Sequence, residues 1–509
     1  MRYALTADAV RMAEGDAVAD GSATFDGLME AAGTELATEV ARRITSGTIA
    51  VVTGKGNNGG DGWVAARVLR ASGRDVRVLS LVDPEELSGA ALAAARTAMK
   101  TGVAWEHTVD LEMIVNRLAG VAGIIDAVFG VGFTGAARDV FALAIEAIDG
   151  AAAPVISADV PSGVDADTGI TSGPAVHADV TVTFSAHKPG LLQYPGAEYA
   201  GEVVVADIGL DIGAAASGGT VEVWEREDYR AVLPVPRVDA HKGTRGSVLL
   251  VAGSRLYGGS AVLAAAGAMR MGAGYVFAAV PTCVVPVIQA ALPHVIAVGL
   301  AETAEGTLAR ESVERIIRVA SEVNAVVLGP GLTTHAEASA VARDLVTSLQ
   351  VPLVLDADGI NALTVGGLES LRSRTAATIV TPHPGELARL LGISIAEVQE
   401  DRVSSARRVG NGQLACMLKG ARTVVAGQSR TAVTLAGNPG MATAGTGDVL
   451  AGMTGTLLAQ GLGPFEAGVL AAYIHGRAGD LAAQELTEIC LTAKDLPSYV
   501  PRAVREVLG

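Results

Sequence analysis

Thr48-Ile-Ala-Val-Val-Thr53, Gly54-Lys-Gly-Asn-Asn-Gly-Gly-Asp-Gly62 and Trp63-Val-Ala-Ala-Arg-Val-Leu-Arg-Ala-Ser72 follow one another without a break. The first is a short, continuous apolar run that reads as a buried strand. The second is a glycine-rich turn and the third a helix. The alternation continues outward: Asp75–Val82 reads as a strand, Leu87–Lys100 as a helix and Gly123–Val128 as a strand. Phe141–Ile148 then reads as a helix, and Pro154–Val160 and Ala178–Ser185 as strands. Strands apolar on both faces, separated by helices, predict a parallel, doubly wound sheet.

The rhythm pauses at Asp211-Ile-Gly-Ala-Ala-Ala-Ser-Gly-Gly-Thr220, which is small, aperiodic and suited to a linker. It resumes at Val221. Ser247–Ala252, Tyr275–Val280, Ala325–Leu328, Leu353–Asp356, Thr378–Val380, Ala415–Leu418 and Thr423–Ala426 read as strands. Ser260–Met271, Gly447–Ala459 and Pro464–Glu485 read as helices. The expectation is an α/β protein with two domains, 1–213 and 222–509, within a chain of 509 residues.

Composition narrows the function. Half the residues are hydrophobic and 18% are charged, which suits packed domains rather than disorder. A net charge of −16 argues against nucleic acid as a partner. Any anionic ligand must instead be met by a local cation or by oriented backbone N–H groups. Cys283, Cys416 and Cys490 are an odd number, far apart and without CxxC spacing, which argues against a disulfide framework or a zinc site and favours a reducing compartment. Arg2, Asp8, Arg11, Glu14 and Asp16 interrupt any apolar leader, and no apolar run is long enough to span a bilayer. The expected setting is the cytoplasm, with no membrane partner. A homo-oligomer is expected, although the sequence does not set the number of copies.

Gly54–Gly62 lies where a strand hands over to a helix, the place at which open α/β sheets bind ligands. It is neither GxxxxGK[ST] nor a dinucleotide GxGxxG fingerprint. A bland glycine-rich turn is the alternative, which the Asn-Asn-Gly-Gly-Asp series makes less attractive. Asp126-Ala-Val-Phe-Gly-Val-Gly-Phe-Thr-Gly135, Asp159-Val-Pro-Ser-Gly-Val-Asp165 and His187-Lys-Pro-Gly190 end strands in the same way. Each alone could be capped-turn chemistry. Together they gather Asn58, Asp126, Asp159 and Ser162 at one sheet edge.

This set resembles the NAD(P)HX epimerase domain over most of residues 1–210. The resemblance implies a Rossmann-like fold that interconverts the R and S hydrates of NADH and NADPH at C6. It implies substrate contacts from Asn57, Asn58, Gly59, Gly60 and Asp61, and from Gly130, Val131, Gly132, Phe133, Thr134, Gly135 and Ala136. Asn58, Asp126 and Ser162 resemble potassium ligands, in keeping with a hard cation's need for oxygen donors. Asp159 resembles a substrate-contacting carboxylate and is the candidate acid or base, with Lys188 as a neighbour.

In the second half, Asn438-Pro-Gly-Met-Ala-Thr-Ala-Gly-Thr-Gly-Asp-Val-Leu-Ala-Gly452 is the strongest motif. Gly445-Thr-Gly-Asp448 opens a helix, so its N–H groups form an anion hole at the positive end of the helix dipole. A bland helix cap would need only one Asp or Thr. The motif resembles the ribokinase-like superfamily. His241-Lys-Gly-Thr-Arg-Gly-Ser247, Ser254-Arg-Leu-Tyr-Gly-Gly-Ser-Ala261, Leu328-Gly-Pro-Gly-Leu332, Asp356-Ala-Asp-Gly359, Thr381-Pro-His-Pro-Gly-Glu386 and Leu418-Lys-Gly-Ala-Arg-Thr423 accompany it. The whole set is similar to the ADP-dependent NAD(P)H-hydrate dehydratase, from about residue 222 to 509.

That similarity implies hydrate contacts from Ala261, Gly331, His383 and Asp448. It implies nucleotide contacts from Lys419, Gly420, Ala421, Arg422, Thr423 and Gly447. Asp448 would be the catalytic base, and Lys242 and Asp356 would order the site. ADP and Mg²⁺ are the implied cofactors, without a dedicated protein cage for the metal. A turn histidine is the alternative for His383. For the chain as a whole, a small-molecule kinase with an unrelated first domain remains open, since an anion hole serves either reaction. So does a first domain that binds or scaffolds without catalysing.

Overall fold

A computed structural model describes residues 2–213, 220–363 and 367–509. Residues 214–219 of the glycine- and serine-rich stretch lie outside the described residues. The chain divides into two compact units, Arg2–Val221 and Glu222–Gly509.

The first unit contains β1 (Arg2–Ala4), β2 (Thr48–Thr53), β3 (Asp75–Ser80), β4 (Ala104–His107), β5 (Gly123–Ala127), β6 (Val155–Ala158), β7 (Val180–Phe184) and β8 (Glu202–Ala206). The sheet runs in the order β4-β3-β2-β5-β6-β7-β8, every neighbour parallel. β1 lies outside this order and meets the chain at His187. Strand alternation sorts the core into two layers. Ile49 and Val51 pack with Leu36, Trp63 and Ala95 on one face, and Ala50 and Val52 with Ile114, Ile145 and Ile148 on the other. Helices on both faces make the sheet doubly wound, as expected.

Two differences from the sequence reading bear on function. The helix expected from Trp63 starts at Asn57 and runs to Ala71, so the Asn-Asn-Gly-Gly-Asp series is helix rather than turn. Glycine makes this possible by removing the side chain where backbone meets backbone: a Cβ on Gly59 would lie 2.2 Å from the Gly54 carbonyl oxygen. Sequence reasoning also leaves residues 2–47 largely unassigned. Helices Ala7–Ala19 and Phe25–Arg43 stand there, each started by a threonine, Thr6 or Thr24, whose hydroxyl accepts a first-turn N–H.

The second unit contains β9 (Val221–Val223), β10 (Ser247–Val251), β11 (Tyr275–Pro281), β12 (Ile296–Leu300), β13 (Ala325–Leu328), β14 (Leu353–Leu355), β15 (Thr378–Val380), β16 (Leu414–Leu418), β17 (Val424–Ala426) and β18 (Thr431–Val433). Their order is β9-β18-β17-β16-β15-β14-β13-β10-β11-β12. β17 runs antiparallel to β16 and β18, and the other pairs are parallel. Helices Gly258–Arg270, Thr446–Ala459 and Pro464–Cys490 bury their small residues in one large core. The last runs past the expected Glu485 and is interrupted at Thr487, which has φ 66°. Among the described residues no helix is long and apolar enough to cross a membrane.

Helices Gly258–Arg270 and Thr446–Ala459 touch backbone to backbone. A Cβ on Gly452 would lie 1.9 Å from the Ala264 carbonyl oxygen, with no flexible side chain to give way. Gly452→Ala should therefore destabilise the second unit by about 1–3 kcal/mol through overpacking. Urea unfolding followed by circular dichroism measures this, and an unchanged midpoint would show that the helices separate without cost.

Candidate active sites

In the first unit the strand order reverses between β2 and β5, because the chain goes from β2 to β3 and β4 on one side before crossing to β5 on the other. Such a switch point opens a crevice at the carboxyl ends of the strands. A cavity of about 500 Å³ stands there. Gly56, Asn57, Asn58 and Asp61 line it from the β2 side, and Gly130, Val131, Gly132, Phe133 and Thr134 from the β5 side. The helix Asn57–Ala71 begins on Gly56 without a side-chain cap, so its first N–H groups are available to an anion.

Asn58, Asp126 and Ser162 meet below the cavity. Asn58 Nδ2 donates to the Phe129 carbonyl at 2.8 Å, and Ser162 Oγ accepts from Phe129 N at 2.9 Å. Ser162 Oγ donates to Asp126 Oδ1 at 2.5 Å, while Ser157 Oγ and Ser162 N donate to Oδ2 at 2.8 and 2.9 Å. Asp126 is fully buried. Burial pushes its carboxyl above the usual range, with the bonds from Ser162 and Ser157 pulling the other way. Asn58 Oδ1 is buried and has no hydrogen-bond partner among the described residues. An orphaned amide oxygen beside a buried carboxyl is a donor set that suits a hard cation.

Asp159 follows β6 with φ 63°, a conformation that costs energy for any residue with a side chain and recurs at functional sites. Its Oδ1 accepts from Lys188 Nζ at 2.6 Å, Thr183 Oγ1 at 3.1 Å and Phe184 N at 3.2 Å. Lys188 is fully buried. Its Nζ also faces Thr183 Oγ1 and the carbonyls of Phe184 and Ala186 within 3.3 Å. An ammonium has three N–H bonds, and these acceptors use all of them. Lys188 thus fixes Asp159 and has no proton left for a ligand.

In the second unit the strand order reverses between β10 and β13. Ala261, on the helix after β10, is fully buried. Gly331, after β13, comes so close that a Cβ would lie 2.9 Å from Ser260 Cβ. Asp356 ends β14 and accepts from Thr381 Oγ1 at 2.6 Å and Lys419 Nζ at 2.5 Å. Burial works against the Lys419 charge, but Asp356 and Glu386 outweigh it, and its pKa is raised. Gly447 adjoins Lys419, with 3.3 Å from a Cβ position to Nζ.

Asp448 lies in the first turn of Thr446–Ala459, a helix that also begins on an uncapped glycine, Gly445. Burial, then the charge of Asp356, raises the Asp448 carboxyl to about 6, against a hydrogen bond from Ser260 and the charge of Lys419. His475 Nε2 lies 2.9 Å from the Thr446 carbonyl. Burial lowers its pKa to about 4, so the neutral ring donates this bond and ties down the start of the helix.

Gly59 and Gly60, on the helix Asn57–Ala71, pack against the Gly54 backbone and the Met29 side chain, and neither they nor Gly135 and Ala136 line the first cavity. His383 caps the helix Pro384–Leu391, its Nδ1 accepting from Gly385 N and Glu386 N, with its side chain half exposed. Gly420 adjoins Arg402, which donates to the Leu418 and Lys419 carbonyls and so holds the loop that continues through Ala421. Arg422, with φ 59°, donates to the Leu435 carbonyl, and Thr423 Oγ1 to that of Gly420. Lys242 stands over the ring of Tyr275, the first residue of β11. That is the amino edge of the sheet, away from the site it was expected to order, because its motif precedes β10 rather than following it. Glu14, Arg11 and Met29 line the first cavity and were missed. The apolar spacing of Leu28, Met29, Ala32, Leu36 and Val40 marks the helix that brings Met29, whereas nothing comparable flags Glu14.

Residues 248–502 match the family model described as NAD(P)H-hydrate dehydratase, and residues 26–190 that described as YjeF-related protein N-terminus. The bifunctional NAD(P)H-hydrate repair enzyme Nnr of Thermofilum pendens is 41% identical over 461 residues, covering 90% of this chain and 87% of the relative. Its counterpart in Moorella thermoacetica is 37% identical over 499 residues, covering 94% and 92%. A solved ADP/ATP-dependent NAD(P)H-hydrate dehydratase from Bacillus subtilis, co-crystallised with ATP/Mg²⁺, is 31% identical, with a TM-score of 0.48 over 56% of this chain and 99% of that one. A doubly wound unit matching one of these family models, followed by a second α/β unit matching the other, defines a two-domain α/β enzyme. The chain belongs to the bifunctional NAD(P)H-hydrate repair enzyme family.

The buried Lys188–Asp159 pair gives a stability test. Lys188→Met strands the Asp159 carboxylate and should cost the first unit about 3–5 kcal/mol. Combining it with Asp159→Asn should restore much of that loss. Urea unfolding monitored by Trp63 and Trp105 fluorescence is the measurement, and equal stability of the single and double variants would mean that the pair is not coupled.

Proposed function

We propose that the chain repairs hydrated NADH and NADPH. The first domain, 1–213, interconverts the R and S hydrates at C6. The second, 222–509, uses ADP to dehydrate the S hydrate, restoring the dihydronicotinamide and releasing AMP and phosphate. Family membership supports both activities. The observation that carries the chemistry is Asp448: a half-buried carboxyl raised to about 6, at an uncapped helix start beside Lys419.

In this reading Ala261, Gly331 and His383 shape the hydrate site, and Lys419–Thr423 with Gly447 hold the nucleotide. Asp448 takes the proton of the C6 hydroxyl as its oxygen attacks the β-phosphate of ADP and AMP leaves. Lys419 and the N–H groups of Gly445–Asp448 meet the developing negative charge. Loss of phosphate from C6 and of a proton from C5 then restores the ring double bond. Among the described residues no group of three His, Cys, Asp or Glu side chains could hold a metal ion. Mg²⁺ would therefore be carried mainly by the nucleotide phosphates, where it screens their charge.

In the first domain Asn57, Asn58, Asp61 and Gly130–Thr134 contact the substrate, with Gly59, Gly60, Gly135 and Ala136 shaping the two loops, and Asp159 moves a proton of the C6 hydroxyl. Asn58, Asp126 and Ser162 would hold K⁺, which fits the unpartnered Asn58 Oδ1 and would supply positive charge beside the cavity. The three free cysteines support a reducing, cytoplasmic setting, and we expect a homo-oligomer.

Mixed hydrates incubated with ADP should regain the absorbance of the reduced nicotinamide; accumulation of a stable phosphorylated product instead would mean a kinase. Asp448→Asn should slow single-turnover dehydration of pure S hydrate by about 10²–10⁴-fold. In the unaltered enzyme this rate should fall as pH drops through about 6, because protonated Asp448 accepts no proton, and the variant should lose that limb. A rate within a few-fold of the parent would assign the proton to another group. Separately, Asp126→Ala or potassium-free buffer should slow epimerisation and leave dehydration of S hydrate intact, and an unchanged epimerase rate in both would remove the potassium site.

A further inference from the structure

The first cavity holds more acid than the chemistry above uses. Asp61, Asp159 and Glu14 all line it. Asp61 is more than nine-tenths buried, and its carboxyl has no hydrogen-bond partner among the described residues. An unpartnered buried carboxyl facing a cavity is costly and calls for a ligand to satisfy it. Glu14 comes from the helix Ala7–Ala19, ahead of the family match at 26–190. The nearby cations do not bond to Asp61: Lys188 spends its protons on Asp159, Thr183 and two carbonyls, and Arg11 pairs with Asp8.

We propose that Asp61 is the proton donor of the epimerisation, working with Asp159 as acceptor, and that Glu14 is a positioning residue beside it. This rests on the reading of the first domain as an NAD(P)H-hydrate epimerase. Asp61 gives its proton to the C6 hydroxyl and the C6–O bond breaks, water carrying away the electron pair. The N1 lone pair becomes the N1=C6 double bond. Water then adds to the other face of C6, the N1=C6 pair returns to N1, and Asp159 takes the proton released. Its return to Asp61 through solvent resets the pair. No oxidant, reductant or further reactant is needed.

The electrostatics agree with this division of labour. Burial, then the charges of Asp159 and Glu14, hold the Asp61 carboxyl well above the usual carboxylate range, against the pull of Lys188. Glu14 is itself raised by burial and by Asp159, with Lys188 and Arg11 opposing. Two carboxyls with different environments in one cavity are the usual basis of an acid–base division.

The test follows conversion of pure R hydrate to S by the full chain across pH. In the unaltered enzyme the rate should fall on the alkaline side as Asp61 loses its proton. Asp61→Asn should lower epimerisation by about 10²-fold or more and abolish the alkaline limb, while dehydration of pure S hydrate by the same protein is unchanged. Glu14→Gln removes a neighbouring negative charge, so its alkaline limb should move to lower pH with KM little changed, and Glu14→Asp should restore the original position. An Asp61→Asn rate within a few-fold of the parent, or a limb that Glu14→Gln leaves in place, overturns the assignment. Should Asp61→Asn fail to fold, the Glu14 pair of variants decides. Failure of the epimerase reading would show as no conversion of R to S by the unaltered enzyme, whereas failure of this inference shows in the pH profile and the variants of an enzyme that still epimerises.

Discussion

Both sites depend on carbonyl oxygens packed where a Cβ would otherwise stand. In the first unit a Cβ on Gly54 would lie 2.1 Å from the Val128 carbonyl oxygen, which locks the chain leaving β2 against the chain leaving β5. In the second, a Cβ on Gly329 would lie 1.8 Å from the Asp356 carbonyl oxygen, doing the same for β13 and β14. Widening either contact would move whole loops. Asn58 could no longer reach the Phe129 carbonyl, and Asp356 would be displaced from Lys419. The chemistry is carried by polar side chains, but the spacing between them is set by residues that have none.

That division explains what could be read from sequence. Parallel strands buried on both faces are continuous apolar runs, so β2, β5, β7 and β10 announce themselves. β4 does not: Ala-Trp-Glu-His is a mostly exposed edge strand and carries no such run. Glycine-rich segments marked the strand ends correctly but concealed a helix, because glycine in Asn57–Gly62 serves close packing, which composition does not distinguish from a turn. Residues at or just past the end of their strand, such as Asp126, Asp159 and Asp356, were legible. Glu14 and His475 reach their sites from helices distant in sequence, and only packing reveals them. Lys242 shows the converse error, in which a motif near a strand was credited to the site although it sits at the opposite edge.

The acidic chain meets the problem of anionic ligands differently at its two sites. Each unit buries one lysine against one strand-end aspartate, Lys188 with Asp159 and Lys419 with Asp356. Lys188 has more acceptors than protons and is sealed from solvent. Lys419 bonds only Asp356 among the described residues and remains partly exposed, so it keeps N–H groups for a phosphate. A lysine with all its protons taken can fix a carboxylate but cannot follow charge that moves during a reaction. One with protons to spare can do both, which is what transfer of a phosphoryl group demands. In the proposed reading the first unit meets its anion chiefly with the uncapped start of Asn57–Ala71, which suits a ligand whose phosphates are held but not cleaved. The difference in chemistry between the two units is thus already present in how many protons each buried lysine has left.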